Sequence, residues 1–549
     1  VPRIHLVSNL PGVSALGDHL RAAGLGPTSA RSADALLVLI DRPLDSVEQE
    51  LLDRARQSVP VLLAGPTMRA LPPDSPLIEA SGLMPGHTTP AHELRVIAGP
   101  QGAEVAARIG DFRPLDSWIV PDKIADDVER LLLVQHGMTE HAVCTWRPST
   151  GLGMFTLGST ASTLADPLYH RLVGRWLRHT LGVRDAAPVG VGLIGTASAV
   201  AGHQAAVEAT EGLNLVAASG AGTAIGAVRG SEGEARSYDE ADGLLADADV
   251  GLVIIGTPNN TRAQWASRAL EAGKDVVIAT PFALSTQEAD DLALLAAARS
   301  SLLAMYSPLR ADPAYQSLRA AVRRGAAGDL LSVEVVDGGY HRPAGGWRDD
   351  ERTSGGLIHA RAADHLDWIL DLVDEPVEWV SAIAHKRVWH HVTNADQVRV
   401  LLRFASGTEA QVTVSDLLAV PTSRLHVLGT AGSVFGDDPA LAGLAAGAGA
   451  RAAAEPERTG GRHAGRPDVG EPVAALSAGP LTVVAHDGSN TRLPLAVGAP
   501  YRFHRDLADA LLSGWPLASY RVEAARRLVA VAEAATRSAG GGGVQIGPA

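Results

Sequence analysis

A single cysteine, Cys144, in a chain of 549 residues leaves no intramolecular disulfide and no cysteine-based zinc cluster. A reducing, cytoplasmic setting is the expectation that follows. Basic residues are also in the minority. Lys and Arg number 47 against 61 Asp and Glu, a net charge of −14. A nucleic-acid partner, which needs a basic face, is therefore not expected. Aromatic residues make up 4% of the chain, and the Ala- and Gly-rich background that replaces them carries no functional signal. No long apolar run is present: the richest, Ala186 to Gly202, is too short and too Gly-rich to span a bilayer, so no membrane partner is expected. The opening residues VPRIHLVSN read as a strand, not a leader.

Hydrophobic residues are nevertheless 46% of the chain, enough for large cores, and the length suggests three or four domains. Residues 1–182 alternate strand and helix. Ala35–Ile40 is an apolar run bounded by Asp34 and Asp41, the pattern of a strand buried on both faces. Asp45 and Glu48 sit at capping-box spacing before a helix. Strands are expected at 59–64 and 154–160, and a helix over 167–182, giving an α/β layer with a mostly parallel sheet. After a linker, VRDAAP, apolar strands at 189–194, 215–218, 251–255 and 276–279 alternate with helices, the pattern of a doubly wound sheet over 188–308. Longer, half-buried strands at 331–336, 398–404 and 409–414 then predict an α+β domain over 309–549 with a large, mostly antiparallel sheet. A Gly-, Ala-, Pro- and Arg-rich stretch, about 438–480, reads as a flexible insertion, and the final GGGGVQIGPA as a loose tail.

The order of landmarks in the second part resembles the Gfo/Idh/MocA oxidoreductases. GVGLIGTASAVAGH stands for the opening strand and turn, TPNNTR for the TPN loop, and EAGKDVVIATPFALS for the segment that ends in E-K-P. WRDDERTSGGL, HVLGTAGSVFG and the closing helices follow in the same order. The first domain more loosely resembles the ThuA-like group, relatives of the class I glutamine amidotransferase fold, through ADALLVLIDRPLDSVEQELLDRARQSVPVLLAG and VCTWRPSTGLGMFTLGST. The resemblance implies NAD or NADP as cofactor, a polar or sugar-like ligand, and a homodimer or larger homo-oligomer.

Residue by residue, the implied chemistry is altered. The G-x-G-x-x-G positions are Gly195, Ala197 and Val200, with Thr196 and Ser198 beside them. The ribose-binding acid is replaced by Gly220; Arg229, a candidate for a 2′-phosphate, lies further along. Ala279 and Thr280 replace the Glu and Lys of E-K-P, while Pro281 remains. In the catalytic D-x-x-x-H, Ala360 stands for the Asp and Asp364 for the His; His359 and His365 lie one residue off, each turned by about 100° round the helix. Arg262 replaces a TPN-loop histidine. Thr257, Pro258, Asn259, Trp347 and Arg348 are retained landmarks of the cofactor crevice.

In the first domain the turn Ala64-Gly65-Pro66-Thr67 has no nucleophile, Cys144 reads as core, and Ser159 replaces a histidine. His87 and His92 are too loosely spaced around Pro90 for a metal site, and none is expected. Two readings follow. In one, the chain is a non-catalytic relative, a ligand-binding or partner subunit. In the other, it is an NAD(P)-dependent sugar or inositol-type dehydrogenase with a rearranged site, drawing on Asp364, His365, His359, Tyr306 and Thr280.

Overall fold

The computed structural model describes residues 2–10, 13–22, 25–29, 32–108, 112–136, 139–220, 229–230, 233–419, 425–436, 480–493, 495, 501–514, 517 and 520–548. The expected insertion and the side chain of Arg229 lie outside what is described. The chain forms two compact units. One comprises Val1–Pro188, Thr210–Gly212 and His504–Leu517, and the other Val189–Ala209, Leu213–Phe503 and Ala518–Ala549.

The first unit is built on an eight-stranded sheet. Five strands, Gly26–Pro27, Arg3–Ser8, Ala35–Leu39, Val61–Ala64 and Leu152–Phe155, run parallel in that spatial order. Ala35–Leu39 is buried at every position, as the unbroken apolar run requires. Asp45 and Glu48 form both bonds of the capping box. The expectation of a mostly parallel sheet holds for this half only. Thr139–Arg147, Glu129–His136 and Arg95–Ala98 continue it antiparallel. His136 pairs with Thr139, two residues of chain away, and so short a connection excludes the crossover that a parallel pair needs. The strand expected at 154–160 also ends early, at Phe155. Gly158, at φ 100°, turns the chain where a Cβ would stand 2.3 Å from the Tyr169 hydroxyl.

Helix Pro167–Thr180, capped by Asp166, carries Arg171 and Arg175 into the same unit's interior. Both meet Asp509 of helix Arg502–Ser513, whose carboxylate is fully buried. Arg171 Nη1 reaches Asp509 at 3.1 Å and Asp506 at 2.7 Å; Arg108 Nε reaches Asp509 at 2.6 Å. Arg175 donates to Asp509 and Arg108 to Asp185. Three guanidiniums thus answer three carboxylates. This lock is why His504–Leu517 packs with residues 1–188, although the sequence places it in the last domain. Asp509→Ala would leave three buried cations short of an acid, an expected loss of about 3–5 kcal/mol. Urea unfolding of the full chain, with hydrogen exchange followed in helix Pro167–Thr180, checks this; unchanged protection there would contradict it.

The second unit begins with six parallel strands. In chain order they are Val189–Gly195, Leu213–Ser219, Arg236–Tyr238, Leu252–Gly256, Asp275–Ala279 and Leu303–Tyr306, and their spatial order is 3-2-1-4-5-6. That is the doubly wound dinucleotide-binding arrangement. The third and sixth strands, three and four residues long, were not separated from their surroundings by sequence.

The chain then forms a second eight-stranded sheet, in the order Val377–His385, Gln397–Phe404, Glu409–Ser415, Leu330–Gly338, Leu425–Gly429, Gly432–Phe435, Leu481–Ala485, Asn490–Leu493. Only Leu330–Gly338 against Glu409–Ser415 is parallel. Alternating burial along Gln397–Phe404 gives one face to the core, where helices Ala363–Val373 and Val522–Gly540 cover it. The tail, expected loose, is docked: Ile546 pairs with Val380 through two 2.8 Å backbone bonds. No helix among the described residues is long and apolar enough to cross a membrane.

Candidate functional site

In a 3-2-1-4-5-6 sheet the first and fourth strands lie side by side while their connections leave in opposite directions, opening a crevice beyond their carboxyl ends. Gly195 and Gly256 face each other there; a Cβ on Gly195 would come within 2.8 Å of the Gly256 backbone. Gly256 also admits the following helix, since a Cβ on it would stand 2.6 Å from that of Ala199. This corrects the weight given to Val200. The close helix–strand approach normally allowed by the third glycine of the motif is supplied from the strand side, so Val200 is a buried core residue.

Thr196 caps helix Ala197–Glu208, accepting from the Ala199 amide at 3.4 Å. The amides of Ala197 and Ser198, in the first turn, have no intrahelical acceptor, and beside them the Thr196 and Ser198 hydroxyls lie 3.2 Å apart. These groups fit a pyrophosphate. At the end of the second strand Gly220 brings no carboxylate to a ribose.

Thr257, Pro258, Thr280, Pro281 and Tyr306 all stand at carboxyl ends of the fourth, fifth and sixth strands, so the structure gathers them at one crevice. Their side chains do different work from that expected. The Thr280 hydroxyl donates to the Tyr306 carbonyl at 2.8 Å and serves the backbone, beside a cis Thr280–Pro281 bond. The Asn259 amide, 3% exposed, donates to the Ser354 carbonyl at 2.7 Å and straps the TPN loop to the segment before helix Ala363–Val373. Trp347 stacks under the Arg348 guanidinium, 4.3 Å from ring centre to Cζ.

The helix that carries the altered D-x-x-x-H positions places its residues in different surroundings. Gly355 and Gly356, both at positive φ, turn the chain into a wide π turn, Ile358–Ala362, that continues as α-helix Ala363–Val373. His359 Nδ1 pairs with the Gly355 carbonyl at 2.9 Å, its ring is buried, and the acids it feels are Glu533 and Glu288 of neighbouring helices. His365 lies with Nε2 3.5 Å from Asp337 of the sheet and accepts from the Trp368 indole. Both rings are buried and held by these neighbours, which weighs against a proton-transfer role for either. Arg361 is also committed, to Asp416 at 2.6 Å and Asp337 at 3.1 Å. Asp367 is fully taken up by Arg310, at 2.6 and 2.7 Å.

Asp364 is different. It keeps some solvent contact, and the charges it feels include Arg262 and Arg348. Burial and the nearby Asp367 carboxylate push its pKa up to about 7, against the pull of the two arginines. Arg262, unremarked in its role by sequence reasoning, spends Nε on the Thr257 carbonyl at 2.8 Å and Nη1 on the carbonyls of Ala279 at 3.0 Å and Pro281 at 3.1 Å. Burial and Arg348 lower its pKa to about 9. Tyr306, raised by burial and by Asp364, packs edge-on against His203 at 4.7 Å and Phe503 at 5.1 Å. His203 is held neutral, near pKa 4, by burial and Arg262. A small cavity beside the site is lined by Arg348, Ala360, Arg361, Asn394 and Asp416. The available signal in sequence was the paired change, an arginine at 262 together with an acid at 364.

In the first unit Cys144 is wholly buried, which pushes its thiol up and removes it as a nucleophile. His92 meets the His136 ring at 5.2 Å, but no group of three His, Cys, Asp or Glu that could hold a metal is found among the described residues.

The fold is that of a dinucleotide-binding-type domain followed by an α+β domain with a large sheet. Residues 189–307 match the model of the oxidoreductase family with an NAD-binding Rossmann fold, and residues 315–435 match the GFO/IDH/MocA C-terminal domain. Residues 189–307 and 315–435 are thus similar to the two domains of the Gfo/Idh/MocA family. The uncharacterized oxidoreductase C115.03 of Schizosaccharomyces pombe is 28% identical over 211 residues, covering 37% of this chain and 57% of that protein. The 1,5-anhydro-D-fructose reductase of Ensifer adhaerens is 30% identical over 209 residues, covering 37% of this chain and 62% of that protein. The chain thus spans little more than half the length of these relatives. The solved structure of a probable oxidoreductase, yhhX, superposes with a TM-score of 0.51 at 20% identity, over 65% of this chain and 99% of that one, which speaks for the fold alone.

Because Asp364 is raised in the folded protein, the contribution linked to it is fully present below pH 4 and is lost as pH rises through about 7. Asp364→Asn is therefore expected to be more stable than the parent at pH 8, by up to a few kcal/mol, since each tenfold change in an ionisation equilibrium is worth about 1.4 kcal/mol. The gain should shrink towards pH 5. Melting curves at the two pH values check this; a constant difference would contradict it.

Proposed function

We propose that the chain is an NAD(P)-dependent oxidoreductase acting on a polyhydroxy compound of the sugar or inositol type, with Asp364 in the proton-transfer role. The observation that carries this reading is the pKa of about 7 at Asp364, at the position where the family's histidine falls. A proton-transfer group works best when it titrates near the operating pH. The side chain has changed, but a group poised near neutrality remains.

A nicotinamide would supply hydride acceptance or donation; Thr196, Ala197 and Ser198 would hold its pyrophosphate. Ionised Asp364 takes the proton of a carbinol, and in the reverse direction its acid form returns one to a carbonyl oxygen. The buried Arg262 cation stabilises negative charge that develops on that oxygen, work for which Thr280 has no charge. The names of the reductase relative and of the family fit a carbinol–carbonyl couple.

A second reading, a ligand-binding or partner subunit without turnover, is favoured by Gly220, which leaves the ribose without an acid, and by the commitment of the Thr280 hydroxyl to the backbone. For residues 1–182 we infer a ThuA-like domain, supported by the five parallel strands. A homo-oligomer through the outer face of the C-terminal sheet is supported by exposed Leu331, Ile383 and Leu401 there.

Binding of NADH and NADPH by fluorescence titration, followed by turnover with a panel of polyols and keto sugars, separates the readings. For carbinol oxidation kcat/KM is expected to rise with pH through about 7, because the ionised form is the base. Asp364→Asn is expected to lower it about 10²- to 10⁴-fold. Nucleotide binding with no turnover, or a rate indifferent to Asp364→Asn, would favour the second reading.

A further inference from the structure

We propose that residues 541–547 guard the edge of the C-terminal sheet, and that strand Val377–His385, once uncovered, is an interaction surface for the same strand of a second copy of this chain. A strand at a sheet edge offers a row of unpaired N–H and C=O groups to any other strand, and proteins blunt such edges by keeping them short, charged or covered. Among the described residues, the outer strands of the three large sheets are short, with one exception. Gly26–Pro27, Arg95–Ala98, Arg236–Tyr238, Leu303–Tyr306 and Asn490–Leu493 have two to four residues each. Val377–His385 has nine. Within it, residues 379–384 read WVSAIA, with no charge, proline or glycine. Such a segment left open at an edge is an association hazard.

It is not left open. In the ladder with Gln397–Phe404, Val380 is a position whose backbone faces outward, and its amide and carbonyl bond the carbonyl and amide of Ile546, each at 2.8 Å. Ser381 Oγ donates to the Gly543 carbonyl at 2.7 Å. Ser538, fully buried near the end of helix Val522–Gly540, accepts from the Ala382 amide at 2.9 Å and donates to the Val544 carbonyl at 2.5 Å. One hydroxyl thus joins helix, edge strand and returning segment. The turn between them needs its glycines. Gly542 and Gly543 lie at φ 78° and 95°, where a side chain is strained, and a Cβ on Gly543 would stand 3.2 Å from Ile383 Cγ1. Ile546 packs against the core, while Val544 is 55% exposed.

Gly543→Val in the full chain tests this, because it opposes the turn and leaves the edge strand unaltered. Hydrogen exchange at the Val380 amide is expected to quicken about tenfold in dilute protein, the worth of one lost hydrogen bond. Sedimentation velocity then follows the mass as concentration rises. Relative to the parent, the variant is expected to grow about twofold or beyond as edges pair, with the Val380 amide slowing again in the associated form. Comparison with the parent removes any association through the face of the sheet. Where valine leaves the turn in place, a chain lacking residues 542–549 removes the guard outright and is expected to associate in the same way. Adding Ala382→Pro to that chain takes away an outward-facing N–H and is expected to restore the parent's mass. Parent-like mass in the shortened chain at every concentration, or association that leaves the Val380 amide exchanging freely and ignores Ala382→Pro, would overturn the proposal.

Discussion

A guanidinium enclosed by protein must be met by dipoles or by charge, and at Arg262 every hydrogen bond goes to a carbonyl dipole while Asp364 is the acid it feels. Three carbonyls, from the ends of the fourth and fifth strands, converge on it. That arrangement ties the TPN loop to the cis-proline loop and fixes the floor of the crevice. It also sets the electrostatics of everything nearby: His203 is kept neutral, and the rise of Asp364 is partly opposed. Where the resemblance implies a lysine, Thr280 carries no charge, and the Arg262 guanidinium bonds the carbonyls of Ala279 and Pro281 on either side of it.

The acid at 364 and the arginine at 262 are best understood together. An isolated carboxylate this enclosed would be costly to ionise, and an isolated guanidinium equally so. Placed in one crevice, each lowers the cost of the other's charged form, and the residual tension leaves Asp364 titrating where catalysis of proton transfer is useful. The other ionic groups of the helix, Asp367 and Arg361, are closed pairs that hold the helix to its surroundings. The division between closed pairs and open charges separates scaffold from site within a short stretch of one helix.

Much of the fold was legible because hydrophobic periodicity is local. The wholly buried strand Ala35–Leu39, the capping box at Asp45 and Glu48, and the succession of strands from Val189 are all written in short stretches. What escaped depends on partners far along the chain. Arg108 and Asp509 are 401 residues apart, and nothing near either announces the other. The strands Arg236–Tyr238 and Leu303–Tyr306 are too short for a pattern. At the site, sequence located the altered positions, but not what they had become. Spacing put His359 and His365 one residue off the motif, but the partners of both, like the surroundings of Arg262 and the shift at Asp364, follow from packing and burial, which no spacing encodes. Val200 looked like a damaged motif only because the compensating Gly256 lies on another strand.

The proposed chemistry of the crevice turns on the ionisation of one carboxyl, that of Asp364. Carbon-13 NMR of aspartate-labelled protein, with the Asp364 signal assigned through Asp364→Asn, follows that group directly and without reference to any ligand or rate. A titration midpoint near 7 is expected. A midpoint near the ordinary aspartate value, about 4, would mean that Asp364 is a permanent anion paired with the arginines, and its proton-transfer role would fall.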